Sequence, residues 1–143
     1  MAKQVWRPGN MVYPLPAVLV TVSDSKGNEN VFTVAWTGTI NSDPAMVYIS
    51  VRESRYSYEM IKDTGVFVIN LTTKELAKAT DYCGVRSGRN EDKFEKMKLT
   101  KIPATHVCAP MIAESPINIE CKVTKVEKLG SHTMFMAEVM AVH

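Results

Sequence analysis

The chain has 143 residues, of which 45% are hydrophobic and 22% are charged. This length predicts one domain over residues 1–143, and this composition gives little support to intrinsic disorder, a coiled coil or a collagen-like repeat. Seventeen basic and fifteen acidic side chains leave a net charge of +2. That balance does not indicate a surface for nucleic acid or an anionic membrane, so any bound anion needs a local site.

Three cysteines, Cys83, Cys108 and Cys121, are odd in number and include no C-x-x-C pair. We therefore expect reduced thiols and neither a disulfide framework nor a zinc knuckle. Residues 1–16 lack the apolar region and cleavage site of a secretory signal. The longest uncharged run, residues 8–23, is shorter than the roughly 20 apolar residues of a membrane helix. The sequence thus predicts a cytoplasmic protein that does not enter a membrane.

Short β-branched and apolar runs, separated by turn residues, predict at least six strands. Within the fifth run, Ile119, Cys121 and Val123 alternate with polar residues, but the next apolar residue is Val126. This change of phase predicts a bulge near Thr124. The predicted strands cover residues 17–23, 31–36, 46–52, 66–71, 117–123 and 133–142.

Two or three short helices are predicted between these strands. Ser54 is the expected N-cap of the first, which Gly65 ends. Residues 72–75 fit a capping box for the second, which Gly84 ends in the left-handed conformation. Asn90 is the expected cap of a third, which has few apolar positions and should lie on the surface. Many strands without regular strand–helix alternation favour an antiparallel barrel or sandwich with attached helices.

The sequence contains no dinucleotide fingerprint, phosphate loop, nucleophile elbow or H-E-x-x-H motif. Arg52, Ser54, Arg55 and Ser57 instead place two cations and two hydroxyls within six residues at a predicted helix start. Guanidinium groups, hydroxyls and helix-start N–H groups are the donors that bind a phosphate dianion. The alternative is a capped, solvated helix whose arginines form surface ion pairs with the neighbouring glutamates.

Four segments carry a family resemblance: VFTVAWTGTINSDPAMVYISVRESRYSYEMIKDTGVFVINL, CGVRSGRNEDKF, APMIAESPINIECKV and LGSHTMFMAEV. In this order and with these gaps, they resemble the flavin reductase-like family that includes flavoredoxin, over nearly the whole chain. The resemblance implies a mostly β, antiparallel split β-barrel of Greek-key type that binds FMN non-covalently. It also implies a homodimer with the flavin near the interface, and electrons received from NAD(P)H or a redox-protein partner.

The resemblance also implies which residues bind the cofactor. The isoalloxazine side corresponds to Thr33, Val34, Ala35, Trp36 and Thr37; the phosphate side corresponds to Ser50, Val51, Arg52, Arg55, Tyr56 and Ser57, and to Cys83, Gly84, Ser87, Gly88, Arg89 and Lys93. Two of these residues have structural alternatives. Trp36 also fits a buried barrel aromatic, and Cys83 also fits a small buried apolar side chain.

His132 lies in the L-G-S-H segment, and the resemblance implies a catalytic position on the nicotinamide side of the flavin. A neutral imidazole there can hydrogen-bond the carboxamide or relay a proton. The alternative is a histidine at the start of a strand, bonded to backbone. Met134, Met136 and Met140 are spaced as adaptable core residues of a strand, so no metal site is predicted.

The resulting hypothesis is an FMN-binding flavin reductase or flavoredoxin-like electron carrier. Its rivals are a non-catalytic flavin-binding or sensing module, and a structural barrel with an empty site. The sequence does not choose among NADH, NADPH and a protein donor, nor does it name the acceptor. Relatives usually continue beyond the last strand, so we expect that this chain lacks a C-terminal tail and that FMN binds more weakly without it.

Overall fold

The computed structural model describes residues 1–143 and contains nine strands and three helices. The strands are β1 (Val18–Ser23), β2 (Glu29–Val34), β3 (Thr37–Ser42), β4 (Ala45–Val51), β5 (Val66–Asn70), β6 (Lys101–Ile102), β7 (Met111–Ile112), β8 (Asn118–Lys128) and β9 (Thr133–Val142). The helices are α1 (Tyr56–Thr64), α2 (Ala77–Val85) and α3 (Lys93–Met97). None of the three has the length and hydropathy needed to span a bilayer.

Seven strands form one antiparallel sheet in the order β2-β1-β5-β8-β9-β4-β3, and β6 pairs with β7. Long connections return the chain beside non-consecutive strands, as in a Greek key. The sheet curls so that β4 approaches β2. The N–H of Ser50 in β4 donates to the carbonyl of Trp36, directly before β3, at 2.9 Å. This architecture confirms the predicted mostly β, antiparallel class with three short helices.

The first strand, with the sequence VLVTVS, is covered on both of its faces. Val18, Val20 and Val22 point into the main core, while Leu19 joins a second cluster against α2 and α3. All six residues of β1 are buried. Burial of one such side chain contributes about 1.5–3 kcal/mol, so the two layers on either side of β1 fix the helices against the sheet.

A buried amide joins the small β6–β7 pair to the barrel. The Asn70 side chain donates to the carbonyl of Leu19 at 2.9 Å and accepts from the N–H of Ile112 at 3.0 Å. Asn118 donates to Asn70 Oδ1 at 2.7 Å and to the carbonyl of Ile112 at 3.0 Å. Each of these buried polar groups is therefore satisfied.

The predicted bulge is confirmed, because the β8–β9 register shifts between Val123 and Lys125. The polar face of β8 differs from expectation. Asn118 and Glu120 are only 5% and 0% exposed, since the segment after α3 covers them. Strict alternation usually indicates one solvated face, but here a loop supplies polar partners for that face.

The helix ends differ in part from the predicted caps. Gly65 ends α1 with a φ of 69°, as expected, but α1 begins after Arg55 and has no side-chain cap. Ser54 therefore lies before the cap. The N-cap of α2 is Leu76, again without a side-chain bond, and Gly84 lies inside the helix, which ends at Arg86 in an extended conformation. The capping box and the glycine stop of α2 were wrong.

The third helix is capped by Asp92, whose carboxylate accepts from the N–H of Glu95 at 3.2 Å, and not by Asn90. Its first two residues, Lys93 and Phe94, are buried rather than exposed. A five-residue helix shows too little periodicity for its inward face to be read from sequence. Strand β3 was also missed, because its residues lie between a predicted strand and a predicted turn.

Candidate functional site

Two adjoining cavities lie where the barrel meets α1 and the loop after α2. The first, the basic cavity, has a volume of about 130 Å³, room for about four water molecules at ~30 Å³ each and the scale of a phosphate group. Predicted site residues from two distant segments line it together: Arg55, Tyr56, Ser57, Ser87, Gly88, Arg89 and Lys93, with Ser54 beside them.

The basic cavity is lined by four cationic side chains and by no carboxylate. The cations are Arg55, Arg86, Arg89 and Lys93. The glutamates nearest in sequence to these arginines are paired elsewhere, Glu53 with Lys128 at 3.1 Å and Glu59 with Lys62 at 3.9 Å. The structure therefore contradicts the surface ion-pair alternative for Arg52 and Arg55. Unneutralised positive charge around a small cavity favours an anionic ligand.

The start of α1 adds backbone donors to this charge. The first N–H groups of a helix have no intrahelical acceptor. Those of Tyr56 and Ser57 also receive no side-chain cap from Arg55. Asn30 donates to the Ser57 hydroxyl at 2.8 Å and holds it in place. A Cβ added at Gly88 would lie 2.3 Å from Asn30 Oδ1, so only glycine lets the loop approach this closely.

Two cations bind the carboxyl end of α2. Lys93 donates to the carbonyls of Cys83 and Arg86, both at 3.1 Å, and Arg55 donates to the carbonyl of Gly84 at 3.0 Å. The last carbonyls of a helix lack intrahelical donors and carry the negative end of its dipole. Burial lowers the pKa of Arg55 and lowers that of Lys93 to about 8. Both cations are thus held in place without a carboxylate.

The second cavity, the aromatic cavity, adjoins the first at Phe32 and Arg55 and measures about 230 Å³. It lies between the end of β2, the end of β4 and the start of β9. Predicted residues line most of it: Thr33, Val34, Ala35, Trp36, Ser50, Val51, Arg52, Arg55 and His132. Val34 and Val51 have side chains buried in the core, so they contribute mainly backbone to the cavity wall.

At the far end of the aromatic cavity, the rings of Trp36 and His132 lie with centroids 4.4 Å apart and tilted by 39°. Trp36 is half-buried at the cavity wall, which does not fit the alternative of a fully buried barrel aromatic. Burial, and then the positive charge of Arg52, lowers the pKa of His132. Its Nδ1 lies 2.8 Å from the Ser131 hydroxyl. The imidazole is therefore neutral near pH 7.

Three predicted site residues do not line either cavity. The Thr37 hydroxyl donates to the carbonyl of Tyr48 at 2.8 Å. Cys83 is fully buried, and desolvation raises the pKa of its thiol to about 11, which fits the alternative of a small apolar core residue. Gly84 reaches the site only through its carbonyl, which Arg55 binds, while a Cβ there would lie 3.3 Å from Thr33.

Sequence reasoning missed four lining residues, namely Asn30, Phe32, Val85 and Arg86. Asn30 and Phe32 lie on β2, just before the predicted ring-binding residues 33–37. The available signal was an asparagine inside a β-branched strand, a position where the amide needs a buried partner. Val85 and Arg86 had no signal beyond their place between two predicted site residues.

Comparison with known proteins identifies the family. The family model for the flavin reductase like domain matches residues 10–143. The chain belongs to the flavin reductase-like family. An uncharacterized protein of Archaeoglobus fulgidus is 35% identical over 131 residues, which cover 92% of this chain and 73% of that relative. The resemblance of the sequence motifs to this family is thereby confirmed.

Two flavoredoxin structures are similar over 99% of this chain. The flavoredoxin of Desulfovibrio vulgaris (Miyazaki F) is 34% identical, with a TM-score of 0.91 and 76% of its own chain covered. The flavoredoxin from Methanosarcina acetivorans is 30% identical, with a TM-score of 0.90 and 75% covered. These neighbours confirm the split β-barrel fold, and family membership makes this chain a flavin-reductase-like protein of the oxidoreductase type.

Proposed function

We propose that this chain binds FMN non-covalently, with the phosphate in the basic cavity and the isoalloxazine in the aromatic cavity, and works as a flavin reductase or flavoredoxin-like electron carrier. The observation that carries the proposal is a cavity of four cations without a carboxylate, joined to a second, larger cavity with aromatic walls. One half suits a dianion and the other a planar ring.

The residues of the basic cavity fit a phosphate in charge, donors and shape. Arg55 and Arg89 are cations at the cavity wall, and the Ser57 hydroxyl and the α1 N–H groups are neutral donors. Charge-assisted hydrogen bonds of this kind are roughly twice as strong as neutral ones. Gly88 keeps the loop close to these donors. The donors come from rigid elements, so little reorganisation accompanies binding.

The aromatic cavity fits the ring mainly through backbone. Strand β2 is an edge strand of the sheet, so alternate N–H groups along it face away from β1. Preorganised donors beside the pyrimidine edge of a flavin tune its potential without adding reactive side chains. FMN, when bound, supplies the redox chemistry by accepting a hydride or electrons at its ring and passing them on. Residues 33–36 would bind and orient the isoalloxazine ring, while Trp36 shields one end of the cavity from water.

His132 is the proposed polar group on the donor side. Its neutral imidazole lies against Trp36 at the cavity wall, where one ring nitrogen is available after Nδ1 has bonded Ser131. That nitrogen can hydrogen-bond a carboxamide, which would orient a nicotinamide ring. NAD(P)H is therefore the proposed reductant, with a redox protein as the alternative donor.

The first test is an absorption spectrum of the protein after incubation with FMN and removal of excess flavin, followed by anaerobic addition of NADH or NADPH. Bound flavin that is bleached at a catalytic rate supports the reductase. Bound flavin that stays oxidised with both nucleotides would contradict the reductase and favour an electron carrier with a protein donor, or a non-catalytic module. A protein that retains no FMN overturns the proposal.

We also propose a homodimer. Support comes from residues 1–16, which form no hydrogen bond with the rest of the chain and expose large apolar side chains, among them Trp6, Val12 and Tyr13 at 71%, 85% and 62%. Contiguous exposed apolar surface marks interaction sites in soluble proteins. Light scattering should give twice the mass of the chain, and the mass of a single chain would contradict this proposal.

A further inference from the structure

Lys93 is a buried cation with an incomplete set of partners. It is 2% exposed at the start of α3, and its side chain lines the basic cavity. An ammonium has three N–H donors. Two of them go to the carbonyls of Cys83 and Arg86. Lys93 forms no salt bridge, and no carboxylate lines the cavity beside it. The third N–H donor and the positive charge therefore have no partner within the chain. A ligand bound in the basic cavity would supply one.

Among the charged and titratable groups around Lys93, only Lys93 itself changes its protonation state appreciably between pH 7 and pH 9. Burial lowers its pKa to about 8, and of the charged groups nearby Arg55 acts to lower the value and Glu91 to raise it. The Cys83 thiol has a pKa near 11 and stays neutral. The Glu91 carboxylate accepts from the Tyr82 hydroxyl at 2.7 Å. The cavity arginines keep their charge at every pH of interest.

We propose that a phosphate dianion completes the Lys93 site, so that FMN binding is coupled to the uptake of one proton at Lys93 in alkaline solution. This inference rests on the proposed function and adds a regulatory property to it: the same cavity binds FMN tightly below pH 8 and releases it more readily above. A dianion beside the ammonium favours the charged form, so the proton taken up stays on Lys93 while FMN is bound.

The direction of the pH dependence follows from which protonation state of Lys93 binds the phosphate. Below its pKa, Lys93 is already protonated and FMN binds without proton uptake. Above the pKa, only the protonated fraction is competent, and the apparent affinity falls with that fraction. With the pKa at about 8, FMN should bind about tenfold more weakly at pH 9 than at pH 7. The phosphate stays dianionic over this range, since its second pKa lies near ~6.

The experiment is a calorimetric titration of the intact chain with FMN at pH 7 and pH 9, each in two buffers of different ionisation enthalpy. We expect uptake of about 0.9 proton per FMN at pH 9 and about 0.1 at pH 7. Riboflavin, which lacks the phosphate, should show neither the proton uptake nor the pH dependence. It also controls for ionisation of the flavin ring itself.

Variants at position 93 test whether Lys93 is the group that takes up the proton. Lys93→Arg keeps a permanent charge, so its FMN affinity should be equal at pH 7 and pH 9. Lys93→Met should bind roughly tenfold or more weakly at pH 7, also without pH dependence. Lys96→Met, an exposed residue of the same helix, is the matched control and should keep the wild-type profile.

The outcomes separate this inference from the proposed function. FMN binding at pH 7 that is equally tight at pH 9, without proton uptake by the wild-type chain, overturns the inference alone. Proton uptake that persists in Lys93→Met also overturns it, because another group would then titrate. Failure to bind FMN at pH 7 overturns the proposed function, and this inference with it. The wild-type titration decides the question even where a position-93 variant does not fold.

Discussion

The indole of Trp36 lies against the imidazole of His132, although the two residues are far apart in sequence. Their ring centroids are 4.4 Å apart at the end of the aromatic cavity. Trp36 directly precedes β3 and His132 directly precedes β9, and β4 pairs with both of these strands, so the contact depends on the β3–β4 and β4–β9 pairings. The polar group proposed to orient the electron donor is therefore positioned by the pairing of β3, β4 and β9.

The first prediction concerns His132. His132→Ala should slow anaerobic reduction of bound FMN by NAD(P)H by about tenfold or more, because a donor-orienting group is lost. The FMN dissociation constant should change less than twofold, since His132 is not in the basic cavity. Stopped-flow absorbance measures the rate, and His106→Ala, at an exposed site outside both cavities, is the control. An unchanged rate in His132→Ala would remove the proposed role.

Arg55 should be the main determinant of FMN affinity. Arg55→Ala removes a half-buried cation shared by both cavities, and hydrogen bonds to charged groups contribute about 1.5–3 kcal/mol. We expect FMN affinity to fall by about 10- to 100-fold. Lys62→Ala removes a cation from the exposed side of α1 and should leave affinity unchanged. Fluorescence titration measures both variants, and equal dissociation constants would contradict the phosphate assignment.

Gly88 should not tolerate a side chain. In Gly88→Ala the new Cβ would lie 2.3 Å from Asn30 Oδ1 and 2.9 Å from the Tyr56 ring, so the loop must move away from α1. Overpacking of this kind costs about 1–3 kcal/mol, and the shifted loop should bind FMN more weakly. Gly9→Ala, whose nearest neighbour would be 3.9 Å away, is the control. Melting temperatures and FMN titrations check both variants.

Glu120 should contribute to acid sensitivity. Burial acts to raise the pKa of this carboxyl, but the hydrogen bonds from His143 and from the backbone N–H groups of Thr105, His106 and Val107 outweigh it and lower the pKa. A pKa below the unfolded value of 4.5 gives stability that is present above that value and is lost as the pH falls through the folded pKa.

The test compares the free energy of unfolding of Glu120→Gln and wild type between pH 3 and pH 7. An amide places N–H groups where the carboxylate accepts them, so the variant should lose about 2 kcal/mol or more at pH 7 and depend less steeply on pH. Glu127→Gln, from an exposed ion pair on the same strand, should behave as wild type. A variant with the wild-type slope would show that Glu120 does not titrate as expected.

Local patterns in the sequence predicted the parts of this fold that local forces determine. The apolar runs at β1 and β5, the left-handed Gly65 after α1 and the phase change at Thr124 were all readable, because backbone propensity and strand period act over a few residues. The loop and strand segments of the site were found through the family resemblance.

The rest depended on contacts between distant segments. No pattern near Glu120 indicates that residues 105–107 will cover it with N–H donors. No pattern near Asn30 indicates that its amide will bind Ser57. The cap of α3 moved from Asn90 to Asp92 because both residues can cap a helix and tertiary packing decides between them. Charge neutralisation is equally non-local, because Lys128 at the end of β8 reaches Glu53 after β4 through the pairing of both strands with β9.

The buried amides of Asn70 and Asn118 also determine how the molecule opens. Detaching β7 would break the two hydrogen bonds that join Ile112 to these amides, each of which contributes about 0.5–1.5 kcal/mol. Sub-global opening of residues 101–118 alone is therefore unfavourable. Amide hydrogens of β5, β7 and β8 should exchange with solvent deuterium at one common, slow rate, as a single cooperative unit.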